Sequence, residues 1–258
     1  MTQSRVFPLS GVHNFRRFGA YEASDGRTVA DRLYRSGQFS RATEEDRETL
    51  AGLNVTTVAD LRRPSERQME PSHWPNVQGV RVIESDHAGP AEAPHLRFLR
   101  EEALTFDSIR TFMTETYRRL PFDEGNAHVF REGIRALANG GEDEAFIVHC
   151  AAGKDRTGIF CALVLWELGV DHDTVVDDYL MTNRAVDFER IATVMRERLS
   201  AKYGREFGDA ELKAFLGVDG DYLDAAIEAM GDPRRYLREA LGLSEAELDA
   251  LRDRLLTG

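Results

Sequence analysis

The chain has 258 residues, 42% of them hydrophobic and 30% charged, and 33 Lys+Arg against 45 Asp+Glu leave a net charge of −12. That balance suits a globular fold with a sizeable core, and its acidity argues against nucleic acid or an anionic membrane as the main partner, though local positive potential can still hold an anionic substrate. Two cysteines, no dense His/Cys/Asp cluster and no apolar run longer than residues 159–166 point away from a disulfide-stapled fold, a metal centre and a transmembrane segment; a cytoplasmic protein is expected, with export lacking a readable signal left open.

Residues 32–36 read as a short strand. Thr43, followed by Glu44, Glu45 and Asp46, reads as an N-cap with an acidic first turn. That helix runs to about residue 51, and Gly52 fits its C-terminal cap. The β-branched run 55–61 (VTTVADL) and residues 80–84 (VRVIE) read as further strands. Two helical patterns fill 103–138, broken near Pro121 and Gly125. Residues 145–150 (AFIVHC) form an apolar run of the kind a buried parallel strand shows. Residues 159–168 are apolar on nearly all sides, which places that helix in the core, and Gly169 ends it. From Asp173 onward the pattern is helical. Asp232-Pro233 marks a break before a helix at 234–241, and Ser244 with Glu247 forms a capping box for the last helix. Phe188, Met195, Phe207, Phe215 and Leu216 read as core packing, with a greasy flap over a site as the other reading.

Short strands alternating with helices give an α/β class. One domain over residues 1–258 is expected. It has a central, mostly parallel sheet of four or five strands with helices on both faces, and a helical region over about 171–258 packs against it. Open α/β sheets place ligands beyond the C-terminal ends of their strands, here the end of 145–150.

The segment that carries chemistry is His149-Cys150-Ala151-Ala152-Gly153-Lys154-Asp155-Arg156-Thr157-Gly158. A buried strand ends at Cys150, a short loop follows, and a helix begins near Arg156. The amides of Ala151, Ala152, Gly153, Lys154, Asp155 and Arg156 lack intrahelical partners and converge on an anion-sized spot. A phosphate there sits over the sulfur of Cys150. The same field and nearby cations favour the thiolate, which is the nucleophile. Arg156 offers a planar fork that holds two phosphate oxygens and meets the charge of a phosphoryl-transfer transition state. Gly153 permits a turn that a side chain would obstruct, and Gly158 permits close packing of the new helix. Thr157 can place a hydroxyl near the sulfur, and His149 orients the loop.

This string resembles the phosphate-binding loop of cysteine-based protein tyrosine phosphatases. It is most similar to the bacterial tyrosine-phosphatase family with an aspartate inside the loop, which includes mycobacterial and listerial secreted phosphatases. Asn14-Phe15-Arg16, Arg32-Leu33-Tyr34-Arg35-Ser36-Gly37, Asp60-Leu61-Arg62, Tyr236-Leu237 and Leu241-Gly242-Leu243-Ser244 resemble further landmarks, so the likeness covers nearly the whole chain. Arg17-Phe18-Gly19-Ala20 departs from the family's usual Asp-Leu-Gly-Gly.

The resemblance implies a phosphomonoester hydrolase without metal or cofactor. Cys150 attacks phosphorus, and water then releases phosphate. It also implies Asp155 as the acid that protonates the leaving oxygen, with Asp86, on the loop after strand 80–84, as the rival. Lys154 either binds an extra phosphate at the pocket mouth or only adds positive potential. The expected substrate is a phosphorylated protein, with phospholipid headgroups as the alternative. An inactive phosphate-binding module and a sulfur-transferring rhodanese-like domain fit less well. Asp60 and Arg62 read as a structural salt bridge, and Cys161 as an inert core cysteine.

Overall fold

The structure is a computed structural model that describes residues 5–73, 79–89, 94–102, 104–186, 188–204 and 208–258. In chain order it contains β1 (Arg16–Arg17), β2 (Thr28–Val29), β3 (Leu33–Ser36), α1 (Glu44–Ala51), β4 (Val55–Asp60), α2 (Pro64–Met69), β5 (Arg81–Ile83), α3 (Pro94–Glu101) and α4 (Phe106–Arg119). A 3-10 turn at Leu120–Phe122 leads into α5 (Glu124–Asn139), β6 (Ala145–His149) and α6 (Asp155–Glu167). The helical remainder is α7 (His172–Leu180), α8 (Thr182–Ala185), α9 (Phe188–Tyr203), α10 (Asp209–Leu216), α11 (Gly220–Met230), α12 (Pro233–Arg235) and α13 (Glu245–Leu255), closed by β7 (Leu256–Thr257). No described helix is long and apolar enough to cross a membrane.

The central sheet has five strands in the order β1-β3-β6-β4-β5. β3, β6, β4 and β5 run parallel, and β1 pairs with β3 antiparallel at the edge. β6 is central, and all five of its residues are buried, which explains its unbroken apolar sequence. Successive side chains of a strand point to opposite faces. Accordingly Phe146 and Val148 enter the large cluster shared with α4, α5, α6, α7, α11 and α13, while Ala145 and Ile147 enter the smaller one with Val12, Phe15, Phe39 and Leu50. α6 is buried nearly all round, as its sequence requires. Burying each of its large apolar side chains stabilises the fold by about 1.5–3 kcal/mol.

Several local expectations hold. Thr43 caps α1 in a capping box with Asp46, whose carboxylate also accepts from the amides of Ser10 and Gly11 at 2.8 and 2.7 Å. Ser244 and Glu247 cap α13 in the same way. Other features differ from the sequence reading. The break between α4 and α5 falls at residues 120–123, and Gly125 lies inside α5. The helix expected over 234–241 is a short α turn followed by a π-type turn at Tyr236–Ala240. The C-terminal region is not wholly helical: β7 pairs antiparallel with β2, Thr28 opposite Thr257 and Val29 opposite Leu256. Two-residue strands carry no periodicity to read. Met195, Phe215 and Leu216 join Leu99 of α3 and Leu212 of α10 in a satellite cluster apart from the two larger ones, although Phe215 also touches the large core. The Phe188 side chain and Phe207 lie outside the described residues.

Candidate active site

β6 delivers Cys150 to the sheet's C-terminal edge, where its side chain is buried. The loop 150–154 then turns into α6. Its carbonyls are all drawn to the protein side. The Ala151 carbonyl accepts from the Gln38 amide at 3.1 Å. Asn14 Nδ2 donates to the Gly153 carbonyl at 2.8 Å and to that of Ala152 at 3.4 Å, and Arg35 Nη2 also reaches Gly153 at 3.2 Å. The peptide N–H groups of Ala151, Ala152, Gly153 and Lys154 have no protein acceptor among the described residues. Tying back the carbonyls of a tight loop turns its amides the other way and makes a concave nest for an anion. Gly153 has φ +69°, and a Cβ there would lie 2.3 Å from the backbone of Ser36. At Gly158 a Cβ would meet the Tyr179 ring at 2.8 Å, so the close packing read at this position is between α6 and α7.

Beneath the loop lie two fully buried arginines. Arg35 pairs with Asp178 at 2.7 Å, and Arg16 donates to the Asp178 carbonyl and to Thr182 Oγ1, both at 3.1 Å, and also to Asn14 Oδ1. Burial first, and then Arg35, pushes the Arg16 guanidinium down to about 9, still charged at neutral pH. Two cations facing one carboxylate leave net positive charge under the loop. Cys161 sits in the same layer, buried and without a disulfide, and burial pushes its thiol up to about 12. That suits an inert core cysteine.

Arg156 stands on the first turn of α6. Its Nη1 and Nη2 meet Glu66 Oε2 and Oε1 at 2.6 and 2.7 Å, and Nη1 also donates to the Leu61 carbonyl at 2.8 Å. The remaining edge, Nε with one Nη2 hydrogen, has no protein acceptor among the described residues. Such an edge is a two-donor fork for a phosphate. Burial lowers the pKa of this guanidinium, but the Glu66 hydrogen bonds and the charge of Cys150 outweigh it and the net shift is upward. Glu66 shows the mirror effect: burial raises its carboxyl, and Arg156 brings it below the usual range. Glu66 was not singled out in the sequence, where no helix was read at residues 64–69. It caps that helix, accepting from the Arg63 amide at 2.8 Å, and the clamp on Arg156 spans 90 residues that no spacing rule connects.

Asp155 is partly buried at the start of α6. Tyr117 donates to its Oδ1 at 2.7 Å, and the Lys154 ammonium lies 3.4 Å from the same oxygen. Asp86 is elsewhere, its side chain fully exposed and 3.6 Å from Arg67. Lys154 does not reach outward. Its ammonium donates to the carbonyls of Phe215 and Gly217, at 2.8 and 3.2 Å, where the end of α10 leaves carbonyls without intrahelical partners. The ammonium is thus turned toward the protein, 3.4 Å from Asp155, where it adds positive charge beside the loop. His149 packs edge-on against Phe39, its Nδ1 3.4 Å from the Cys150 carbonyl and its Nε2 3.6 Å from Asp60. Asp60 in turn holds Arg62 in a buried ion pair at 2.8 Å, which fits the expected structural salt bridge. The Thr157 hydroxyl is buried with no protein partner among the described residues.

The family model described as the tyrosine phosphatase family matches residues 7–257. The chain is 32% identical to a protein of Mycobacterium tuberculosis named triple specificity protein phosphatase PtpB, over 97% of this chain and 99% of that protein. It is 33% identical to a Cupriavidus necator protein named, provisionally, a tyrosine-protein phosphatase, over 92% of this chain and 84% of that one. It is 25% identical to a tyrosine-protein phosphatase of Nostoc commune, over 88% and 74%.

Proposed function

The chain belongs to the tyrosine phosphatase family, and from that premise we propose that it removes phosphate from phosphorylated proteins through a cysteinyl-phosphate intermediate on Cys150. The observation that carries this reading is the loop itself. Its carbonyls are tied to Asn14, Arg35 and Gln38, its amides are left for an anion, and the free edge of Arg156 stands beside it.

The Cys150 thiolate attacks phosphorus, the sulfur–phosphorus bond forms as the ester bond breaks, and Asp155 gives its proton to the leaving oxygen. The amides of residues 151–156 and the Arg156 fork hold the phosphoryl oxygens. Water then attacks the phosphoryl group and gives its proton to the Asp155 carboxylate, and the breaking sulfur–phosphorus bond returns its electron pair to sulfur, with the unpartnered Thr157 hydroxyl available to the thiolate. The nucleophile is supplied by the chain, so the chemistry calls for no metal or cofactor. His149 has a supporting role, holding the Cys150 carbonyl and Asp60. Asp155 is preferred to Asp86 because it adjoins Arg156 in the chain, whereas Asp86 is turned out to solvent. Phosphoprotein is preferred to phospholipid headgroups, since the Lys154 ammonium already has two carbonyls and a carboxylate around it. The helices after residue 171 share the large core with the sheet, which supports one phosphatase domain over the whole chain.

Phosphate release from phosphotyrosine and phosphoserine peptides and from phosphoinositide vesicles, without added metal, tests the reading. Turnover of a peptide that vanishes in Cys150→Ser is the expected result. Turnover that survives Cys150→Ser overturns the mechanism, and hydrolysis of the vesicles alone overturns the protein substrate.

A further inference from the structure

On the reading that Asp155 protonates the leaving oxygen, we propose that Tyr117, backed by Tyr179, is a positioning residue that selects which oxygen of Asp155 carries the proton. Tyr117 lies on α4 and Tyr179 on α7, both fully buried. The Tyr179 hydroxyl donates to the Tyr117 oxygen at 2.5 Å, and Tyr117 donates to Asp155 Oδ1 at 2.7 Å. Each phenol has one hydrogen, so this relay has one direction. The Tyr179 ring occupies the space left by Gly158, which fixes the relay against the helix that carries Asp155. Tyr117 also packs against Tyr179 and Tyr222, with ring centroids 6.2 and 5.6 Å away.

The consequence lies in the two carboxyl oxygens. Oδ1 has the Tyr117 hydrogen and the Lys154 ammonium on it, whereas Oδ2 has no protein partner among the described residues. An oxygen that already accepts a hydrogen bond and lies 3.4 Å from an ammonium is a poor place for a proton. The acid proton therefore sits on Oδ2 and leaves from there to the ester oxygen as the phosphorus–oxygen bond breaks. Tyr117 keeps its own hydrogen throughout, because burial first, and then the charge of Asp155, hold its phenol well above the ordinary tyrosine range.

The hydrogen bond also acts on the pH profile. A phenol donating to a carboxyl stabilises the anion more than the acid. The charged and titratable groups around Asp155 are Lys154, Arg156, His95 on α3, Tyr117, Tyr179 and Tyr222 on α11, and of these only Tyr117 and Tyr179 belong to the relay that Tyr117→Phe cuts. Removing the Tyr117 hydroxyl leaves all the others in place. The acid form then persists to higher pH, and the alkaline limb of kcat/KM moves up.

The experiment compares wild type, Asp155→Asn, Tyr117→Phe and Tyr179→Phe on a phosphotyrosine peptide, whose leaving phenol needs the proton, and on 4-nitrophenyl phosphate, whose leaving group needs it less. Asp155→Asn should lower kcat on the peptide by about a hundredfold or more, and much less on 4-nitrophenyl phosphate. Tyr117→Phe should show the same substrate bias at about tenfold, with KM little changed and the alkaline limb shifted upward. Tyr179→Phe should shift the limb the same way by less, and it carries the test if Tyr117→Phe does not fold. An equal loss on both substrates with an unmoved limb makes Tyr117 a packing residue and overturns the proposal alone. No substrate bias in Asp155→Asn overturns the acid assignment and the proposal with it.

Discussion

The guanidinium of Arg156 and the carboxylate of Glu66 meet edge to edge, Nη1 to Oε2 at 2.6 Å and Nη2 to Oε1 at 2.7 Å. Glu66 thereby decides which edge of Arg156 is left without a protein acceptor among the described residues, the edge assigned above to the phosphoryl group in the proposed reaction. Glu66→Gln keeps the shape but breaks one bond of the pair, freeing the fork to swing. We expect kcat/KM to fall by about tenfold to a hundredfold, since a misplacement near 1 Å costs that order. The inhibition constant of inorganic phosphate should rise in parallel. Steady-state kinetics with unchanged values for both would show that Arg156 is positioned by something else.

Gly153→Ala should abolish phosphate binding, because the added Cβ would stand 2.3 Å from the Ser36 backbone at a φ of +69°. Gly26→Ala is the matched control, with φ +83° and nothing within 4 Å of its Cβ. There only the backbone strain of about 1–2 kcal/mol applies, and turnover should be kept. Calorimetric titration with phosphate distinguishes the two, and a Gly153→Ala protein that binds phosphate normally would contradict the loop geometry.

Ala20 holds φ +55° where the family usually has glycine, its amide bonded to the Val29 carbonyl at 2.8 Å. A left-handed conformation costs a residue with a Cβ about 1–2 kcal/mol. Ala20→Gly should therefore raise the melting temperature or leave it level, the gain being offset by the freer unfolded chain. A fall of several degrees in thermal denaturation would mean that the methyl group packs usefully.

His149 is buried, and burial holds its imidazole below the ordinary value against the opposing pull of Asp60. Below the unfolded value of about 6.5 the unfolded chain binds the proton more readily than the folded one. The stability that His149 contributes is therefore present above about pH 6.5 and is lost as the pH falls from there through the lower folded value. Asp60, depressed by His149 and Arg62 despite its burial, adds a further loss at more acidic pH. Melting temperatures between pH 7.5 and 5 should fall less steeply for His149→Asn than for wild type. Parallel curves would assign the acid sensitivity to other groups.

The candidate loop was legible in the sequence because strand, loop and helix are contiguous there, although the partners that turn its amides outward are remote. The four parallel strands were expected at 32–36, 55–61, 80–84 and 145–150, of which only the last is an unbroken apolar run. What stayed hidden has a common cause. Glu66 meets Arg156 across 90 residues, Tyr117 meets Asp155 across 38, and Tyr179 meets Tyr117 across 62, separations that no local pattern connects. Sequence left Lys154 either at the pocket mouth or as a source of positive potential, and only the packed end of α10 reveals the carbonyls that hold it. Asn14 and Arg35 were visible as family landmarks, but their work on the Gly153 carbonyl could be read only from coordinates.

The loop's dependence on remote segments bears on how the protein acquires activity. Asn14 reaches Gly153 over 139 residues, and Arg16 reaches Asp178 over 162. Contacts of such long sequence separation form late, since chain closure must precede them. A peptide carrying only β6, the loop and α6 should not hold the anion cradle. In a refolding experiment, helical signal should return before turnover does, and phosphate in the buffer should speed nothing early while stabilising the end state by mass action. Catalytic competence in this chain is thus a late readout of folding, and a misassembled N-terminal segment would be silent in its secondary structure yet inactive.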